Sequence, residues 1–151
     1  MIRVRPYATA DREFVLSLAP RLAIGIPPWR DAQKMTETAR GWITESITQH
    51  GTKTMVFVAE DEQGKRLGFA TVSHSTHFTG GGQAYVGELV TDEAAEGQGT
   101  GKALAQACEQ WAQEQGYGIL SLTTGAANER ALGFYRHLGY QDEDVTLIKL
   151  L

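Results

Sequence analysis

The sequence predicts a mixed α/β fold in which helices flank a β-sheet. Short apolar runs, some with polar residues at alternate positions, indicate strands, and longer segments with an apolar stripe at helical spacing indicate helices. At residues 87–104 an apolar run passes through three alternate glycines into a helical pattern. In chain order these patterns predict the succession β-α-α-β-β-β-α-β-α-β, with no internal repeat and no composition shift that would mark a linker.

The first 50 residues are predicted to form one strand and two helices. Ile2 and Val4 alternate with arginines, which indicates a short strand with one solvated face. A first helix, capped by Thr9 or Asp11, runs to about residue 18 and ends before a proline. After a proline-rich loop, residues 31–50 favour a second helix because their apolar side chains fall on one stripe.

The rest of the chain alternates between strands and helices. Residues 54–60 are apolar on both faces, which is typical of a central strand. The helix that follows the glycines carries an apolar stripe and ends near Gly116, since glycine often follows a helix C-terminus. The remaining predicted elements are strands at 66–77, 84–91, 118–123 and 145–150 and a helix at 128–138.

Composition and charge narrow the classes of function. The 151 residues, 42% of them hydrophobic, are typical of one globular domain. A net charge of −4 and the lack of any lysine or arginine run argue against a nucleic-acid partner. We expect no membrane partner, because no apolar segment resembles a spanning helix or a signal peptide. The single cysteine fits a reducing compartment, so we expect a cytoplasmic protein.

Gly97, Gly99 and Gly101 stand where a predicted strand turns into a helix. Glycines allow a tight turn there, and the first N–H groups of a helix lack intrahelical acceptors, so the junction is suited to bind an anion. A P-loop is excluded, because it requires glycine at the position of Glu96 and serine or threonine after Lys102. A dinucleotide-binding turn is excluded as well, because it requires a third glycine where Lys102 stands.

Residues 97–104, Gly-Gln-Gly-x-Gly-Lys-Ala-Leu, resemble the coenzyme-A pyrophosphate loop of the GNAT acetyltransferase superfamily. Residues 128–140 resemble a second segment of that family, Asn-x-x-Ala-x-x-Phe-Tyr-x-x-x-Gly-(Phe/Tyr), at every defining position. The detailed resemblance covers residues 85–140. It implies a single GNAT-like domain over residues 1–151, with a central mixed, mostly antiparallel sheet of six to seven strands flanked by about four helices. It also implies acetyl-CoA as acetyl donor and no metal.

By the same resemblance, the coenzyme contacts fall on a strand, the glycine loop and the last helix. Backbone N–H groups of Leu89 and Thr91, left free beside a bulge, would meet the pantetheine and the thioester oxygen. The loop amides, with help from Lys102, would hold the pyrophosphate, because Glu96 stands where the family usually has arginine or glutamine. The residues expected at the coenzyme are Leu89, Val90, Thr91, Gly97, Gln98, Gly99, Thr100, Gly101, Lys102, Asn128, Ala131 and Tyr135.

Two catalytic side chains are expected beside the thioester. Tyr135 is the candidate general acid, because a phenol can protonate a departing thiolate and shares one helical face with Asn128. Glu88 is the first candidate for the general base, with an outward-facing strand glutamate as the alternative, and His74 is the second candidate. Cys108 lies on an apolar stripe and is expected to be a packed thiol.

We expect the acceptor to be a primary amine of a small molecule, acetylated by direct transfer in a ternary complex. A protein lysine or N-terminus is an alternative acceptor, and a non-catalytic acyl-CoA-binding regulatory module is a further alternative. Acceptor choice is expected to depend on the loop at residues 22–30, the second helix and the glycines at 80–82. Trp29 and Trp42 would either shape that pocket or, for Trp42, pack in the core. A homodimer is left open.

Overall fold

The computed structural model describes residues 1–151 and contains a five-stranded sheet and four α-helices. The strands are Arg3–Pro6 (β1), Thr54–Glu60 (β2), Arg66–Thr76 (β3), Gly82–Thr91 (β4) and Leu120–Leu122 (β5). The helices are Arg12–Ser17 (α1), Ala32–Gln49 (α2), Thr100–Glu114 (α3) and Glu129–His137 (α4). Short 3₁₀ turns lie at Thr9–Asp11, Ala19–Ala23 and Glu93–Ala95.

The sheet follows the chain, with strand order β1-β2-β3-β4-β5. The first four strands pair antiparallel, and only β5 lies parallel to its neighbour β4. The predicted mixed, mostly antiparallel sheet with flanking helices is therefore confirmed. The prediction of six to seven strands is wrong, since the sheet has five.

The strand predicted at residues 145–150 does not form. Its apolar side chains are left exposed, as Leu147 at 88% and Leu150 at 68% show. The edge strand nearest to it in the sequence, β5, is only three residues long and offers few backbone partners. Just before this segment, Arg136 of α4 donates two hydrogen bonds to the Asp142 carboxylate. An apolar segment forms a strand only where a sheet edge is available to pair with it.

Midway along β4, its register with β3 shifts by one residue and its pairing with β5 ends. Thr71 pairs with Glu88 whereas the next residue of β3 pairs with Val86, so Gly87 is an extra, bulged residue. The bulge changes the face to which alternate residues point: Val86 packs in the cluster under α3, and Val90 in the cluster under α2. Glu88, two residues before Val90, therefore faces α2.

Strand β4 pairs with β5 only over three residues, Ala84 to Val86. Beyond Val86 it has no neighbour on that side, and a gap opens between the two strands.

Two apolar clusters cover the two faces of the sheet. On one face α3 contributes Leu104, Cys108 and Trp111, and on the other α2 contributes Ala39 and Ile43. These stripes explain why both segments are helical, because each buries one face against the sheet. None of the helices combines the length and apolar character that crossing a membrane would require.

Candidate active site

A cleft of about 1170 Å³ opens where β4 and β5 diverge. It is lined by β4, the glycine segment before α3, the start of α4, and the segment from the Ala19–Ala23 turn into α2. Every residue predicted to contact the coenzyme lines this cleft except Gln98, whose side chain hydrogen-bonds to the Ala94 carbonyl. The structure thus brings together two motifs that are separated in the sequence.

The gap between the strands leaves backbone N–H groups of β4 without partners. On the β3 side, the N–H of Asp92 donates to the Leu67 carbonyl and the N–H of Glu88 donates to the Thr71 hydroxyl. Because donors alternate along an antiparallel strand, the N–H groups of Leu89 and Thr91 point to the other side. There β5 has already ended its pairing, so both amides face the cleft.

The N-terminus of α3 presents further free amides. Gly97 and Gly99 adopt positive φ angles of 75° and 86°, which side chains other than glycine rarely accept. Gly99 precedes the helix without any side-chain cap, and the first intrahelical bond comes from the Ala103 N–H at 3.0 Å. The N–H groups of residues 100–102 therefore remain available for an anion.

The Thr100 hydroxyl supports this assignment. Thr100 is only 1% exposed, lines the cleft, and its Oγ1 atom makes no hydrogen bond within the protein. A buried hydroxyl normally has a partner, so this atom is suited to one supplied by a ligand. Gly101 allows the approach of Phe134, since a Cβ there would lie 3.2 Å from the ring. These residues fit a coenzyme that carries a pyrophosphate.

The negative charge of Glu96, at the start of the glycine loop, is compensated by two arginines. Its carboxylate pairs with Arg21 from the N-terminal half and with Arg130 of α4, the latter at 2.8 Å between Nη1 and Oε2. The bonds from Arg130 and Arg21 lower the pKa of Glu96. The pair of arginines was missing from the sequence-based prediction, which assigned the anion to amides and Lys102 alone.

Tyr135 lies at the end of the cleft near α3. Burial raises the pKa of its phenol to about 12, with a smaller contribution from the neighbouring Cys108. The ring packs edge-on against Phe134 and Tyr140, with centroids 5.0 and 5.5 Å apart. Asn128 caps α4, since its Oδ1 accepts from the Ala131 N–H at 3.1 Å. The phenol therefore stays protonated at neutral pH and can donate.

Glu88 is buried rather than outward-facing. It is 4% exposed, lines the cleft, and accepts a hydrogen bond from the Thr71 hydroxyl. Burial raises the pKa of Glu88, the Thr71 bond opposes that rise, and the charge of Glu45 adds to it. A carboxylate with a raised pKa holds a proton more readily than one in water, which suits a proton acceptor.

A smaller pocket of about 290 Å³ adjoins the cleft on the α2 side. Trp42, Tyr85, Gly87 and Glu88 line both cavities. The charged side chains of the smaller pocket are Glu45 and Glu88, with no lysine, arginine or histidine. The main cleft is different, because five basic residues line it against three acidic ones. The two cavities thus differ in the sign of their charge.

The structure also locates three other residues that the sequence analysis singled out, Trp42, His74 and Cys108. Trp42 is 50% exposed at the cleft, so the alternative that it packs in the core is wrong. His74 bonds to the Tyr117 hydroxyl at 2.8 Å and does not line the cleft, which removes it as a candidate base. Cys108 is fully buried, its pKa is raised to about 12 by burial, and it lies outside the cleft lining, as expected of a packed thiol.

The profile of the Acetyltransferase (GNAT) family matches residues 21–140. A mycothiol acetyltransferase of an Arthrobacter strain is 40% identical over 95 residues, which cover 58% of this chain and 28% of that protein. An uncharacterised N-acetyltransferase of Methanocaldococcus jannaschii is 32% identical over 62 residues, covering 41% and 27% respectively. The chain thus spans under a third of the length of either relative.

Solved structures share the fold. A putative acetyl transferase from Pyrococcus furiosus superposes with a TM-score of 0.78 at 20% sequence identity, over 100% of both chains. Similarity at this level of identity extends to the arrangement of the strands and helices.

Proposed function

The chain belongs to the GNAT acetyltransferase family, and we propose that it is an N-acetyltransferase that moves the acetyl group of acetyl-CoA to a primary amine of a small molecule. The observation that carries the proposal is the gap between β4 and β5, where free amides of β4 and of the α3 N-terminus line one cleft. Acetyl-CoA supplies an acetyl group as a thioester, whose carbonyl carbon an amine can attack.

The chain holds the donor with backbone groups. The amides at the start of α3 and the Thr100 hydroxyl bind the pyrophosphate, where the partial positive charge of the helix end favours an anion. The N–H groups of Leu89 and Thr91 orient the pantetheine and donate to the thioester oxygen. A hydrogen bond to that oxygen stabilises the negative charge that develops there during attack.

Glu88 is the proposed proton acceptor, and Tyr135 is the proposed proton donor. An amine is mostly protonated at neutral pH and must lose a proton before it attacks, and the Glu88 carboxylate accepts that proton directly or through water. Tyr135 donates its phenolic proton to the departing thiolate, and solvent restores it. Direct transfer is supported by the position of Cys108, which lies buried outside the cleft and cannot receive the acetyl group.

The smaller pocket is proposed to receive the acceptor. It shares Glu88 with the main cleft, which supports a route that brings the amine to the proposed base beside the β4 amides. Its charged residues are two glutamates, and the half-exposed Trp42 offers an aromatic face, so it suits a positively charged amine. A volume of about 290 Å³ fits a small molecule more readily than a folded protein surface.

Calorimetry and a turnover assay test this proposal. We expect acetyl-CoA to bind the purified chain, and small amines to release free thiol faster than lysine-bearing or N-terminal peptides do. Faster release with peptides would favour a protein acetyltransferase instead. Tight acetyl-CoA binding without release on any acceptor would favour a non-catalytic acyl-CoA-binding module. No binding of acetyl-CoA or of any other acyl-CoA would refute the proposed activity.

A further inference from the structure

We infer that Arg21 and Arg130, held side by side by Glu96, form the cationic part of the coenzyme's phosphate site. The inference rests on the proposed function and adds to it two residues that lie outside the glycine loop. Arg21 comes from the turn after α1, and Arg130 from the first turn of α4. Both line the cleft next to Gly97 and Gly99.

Glu96 fixes the two guanidinium groups at the mouth of the cleft. Its Oε1 accepts from Nη2 of Arg21, and its Oε2 accepts from Nη1 of Arg130 at 2.8 Å. Each arginine uses one terminal nitrogen for this contact, which leaves its other N–H groups free to donate to a phosphate. One carboxylate against two guanidinium groups leaves a net positive charge beside the loop.

The surrounding charges point to an anion as the ligand. The whole chain has 14 basic and 18 acidic residues, yet the cleft is lined by five basic residues and only three acidic ones. Arg130 remains 74% exposed although it is paired, so its free N–H groups can reach a bound molecule. The unpartnered Thr100 hydroxyl lies in the lining of the same cleft and supplies a second, independent donor.

This arrangement explains the acidic residue of the loop. An isolated carboxylate beside a pyrophosphate would repel it, but Glu96 is compensated twice and acts as a positioning residue for the arginines. The cation that a loop side chain would otherwise supply comes from two other segments of the chain.

The test compares a ligand with phosphates and one without. We expect Arg130→Gln and Arg21→Gln each to weaken coenzyme A binding by about tenfold in calorimetry, and to weaken its dependence on salt, because a charge-assisted contact is lost. Binding of S-acetyl-pantetheine, which lacks the phosphates, should stay within about twofold of the wild-type value. Arg136→Gln is the matched control, since this arginine of α4 pairs with Asp142 and does not line the cleft.

A double variant distinguishes a direct contact of Arg130 with the phosphates from a general electrostatic effect of the net charge of the site. Glu96→Gln together with Arg130→Gln removes one charge of each sign and restores the net charge of the site. The inference expects coenzyme A binding to stay weak, whereas a purely electrostatic field would restore it. Unchanged coenzyme A affinity in both single arginine variants, or an equal loss for S-acetyl-pantetheine, overturns the inference and leaves the proposed function standing. Failure of the wild-type chain to bind any acyl-CoA overturns both.

Discussion

Glu88 and Thr71 are joined by two hydrogen bonds across the bulge in the sheet. The Thr71 hydroxyl donates to the Glu88 carboxylate and accepts from the Glu88 N–H, with 3.0 Å between nitrogen and oxygen. Gly87 makes room for this arrangement, because a Cβ there would lie 2.9 Å from the hydroxyl oxygen. The register shift in β4 thus places a buried carboxylate at the junction of the two cavities.

The Thr71→Val variant tests Glu88 as the general base. Loss of the hydroxyl removes the bond that opposes the effect of burial, so the pKa of Glu88 rises further. Since the base works as the carboxylate, the acidic limb of the kcat/KM profile moves to higher pH. On the acidic limb itself we expect kcat/KM at a given pH to fall by roughly three- to tenfold, the effect of losing one hydrogen bond.

Profiles of kcat/KM against pH measure this shift. Thr76→Val, at the exposed end of β3, is the control and should leave the limb in place. Glu88→Gln should remove the limb altogether. If Thr71→Val shifts nothing while Glu88→Gln leaves the limb intact, another group is the base.

The Tyr135→Phe variant tests the general acid. The phenylalanine ring keeps the packing against Phe134 and Tyr140 but has no proton to give to the thiolate. We expect kcat to fall on the order of 10²-fold, while the affinity for acetyl-CoA changes less than about threefold. Because the pKa of Tyr135 is raised to about 12, this acid should cause no loss of rate below about pH 10.

Single-turnover kinetics with calorimetry separate the two effects. Tyr140→Phe is the control, since Tyr140 bonds to Glu109 at 3.2 Å and lies outside the cleft lining. Equal loss of kcat in both variants would mean that the tyrosine cluster acts through packing and not through proton donation.

The sequence was most informative where function depends on backbone groups in local motifs. Residues 97–104 and 128–140 predicted the α3 junction and the start of α4, because glycine spacing and capping are local properties. Glu96 and Arg21 are 75 positions apart, and no local pattern could pair them. The prediction of a strand at residues 145–150 failed for a similar reason, since a short apolar run does not reveal whether a sheet edge is available to it.

The Asp11→Asn variant tests a buried ion-pair network away from the cleft. Asp11 is fully buried and accepts from Arg5, Arg66 and the Ala8 N–H at 2.7 to 2.9 Å. These hydrogen bonds link β1 and β3 to the 3₁₀ turn at Thr9–Asp11. Burial alone would raise the pKa of Asp11, but these donors hold it well below its usual range. We expect the asparagine to lower the free energy of unfolding by about 3 kcal/mol at pH 7.

The pH dependence of stability follows from the direction of that shift. A lowered folded-state pKa stabilises the protein above the unfolded value near 4, and this contribution is lost as pH falls toward the folded value. Urea unfolding at pH 7 and pH 3 should therefore show a smaller difference between wild type and variant at pH 3. Glu62→Gln, at an exposed turn, is the control. A difference of equal size at both values would argue against the charge as its cause.

The Glu45→Gln variant tests the charge of the proposed acceptor pocket. Glu45 lies on α2 and lines the smaller pocket together with Glu88, and no basic side chain lines that pocket to neutralise it. For an acceptor with two amino groups we expect KM to rise by roughly three- to fivefold, because one partly solvated charge contact is worth about 1 kcal/mol. The KM for acetyl-CoA, whose proposed site is the main cleft, should not change.

The same substitution has a second, independent readout. The negative charge of Glu45 contributes to the raised pKa of Glu88, so its removal should move the acidic limb of kcat/KM to lower pH. Glu37→Gln is the matched control, because Glu37 is exposed on the same helix and lines neither cavity. If both glutamine variants raise KM equally, the effect is general attraction by an acidic helix. If neither does, the amine enters by another route, because an ammonium group in this pocket must respond to the charge of Glu45.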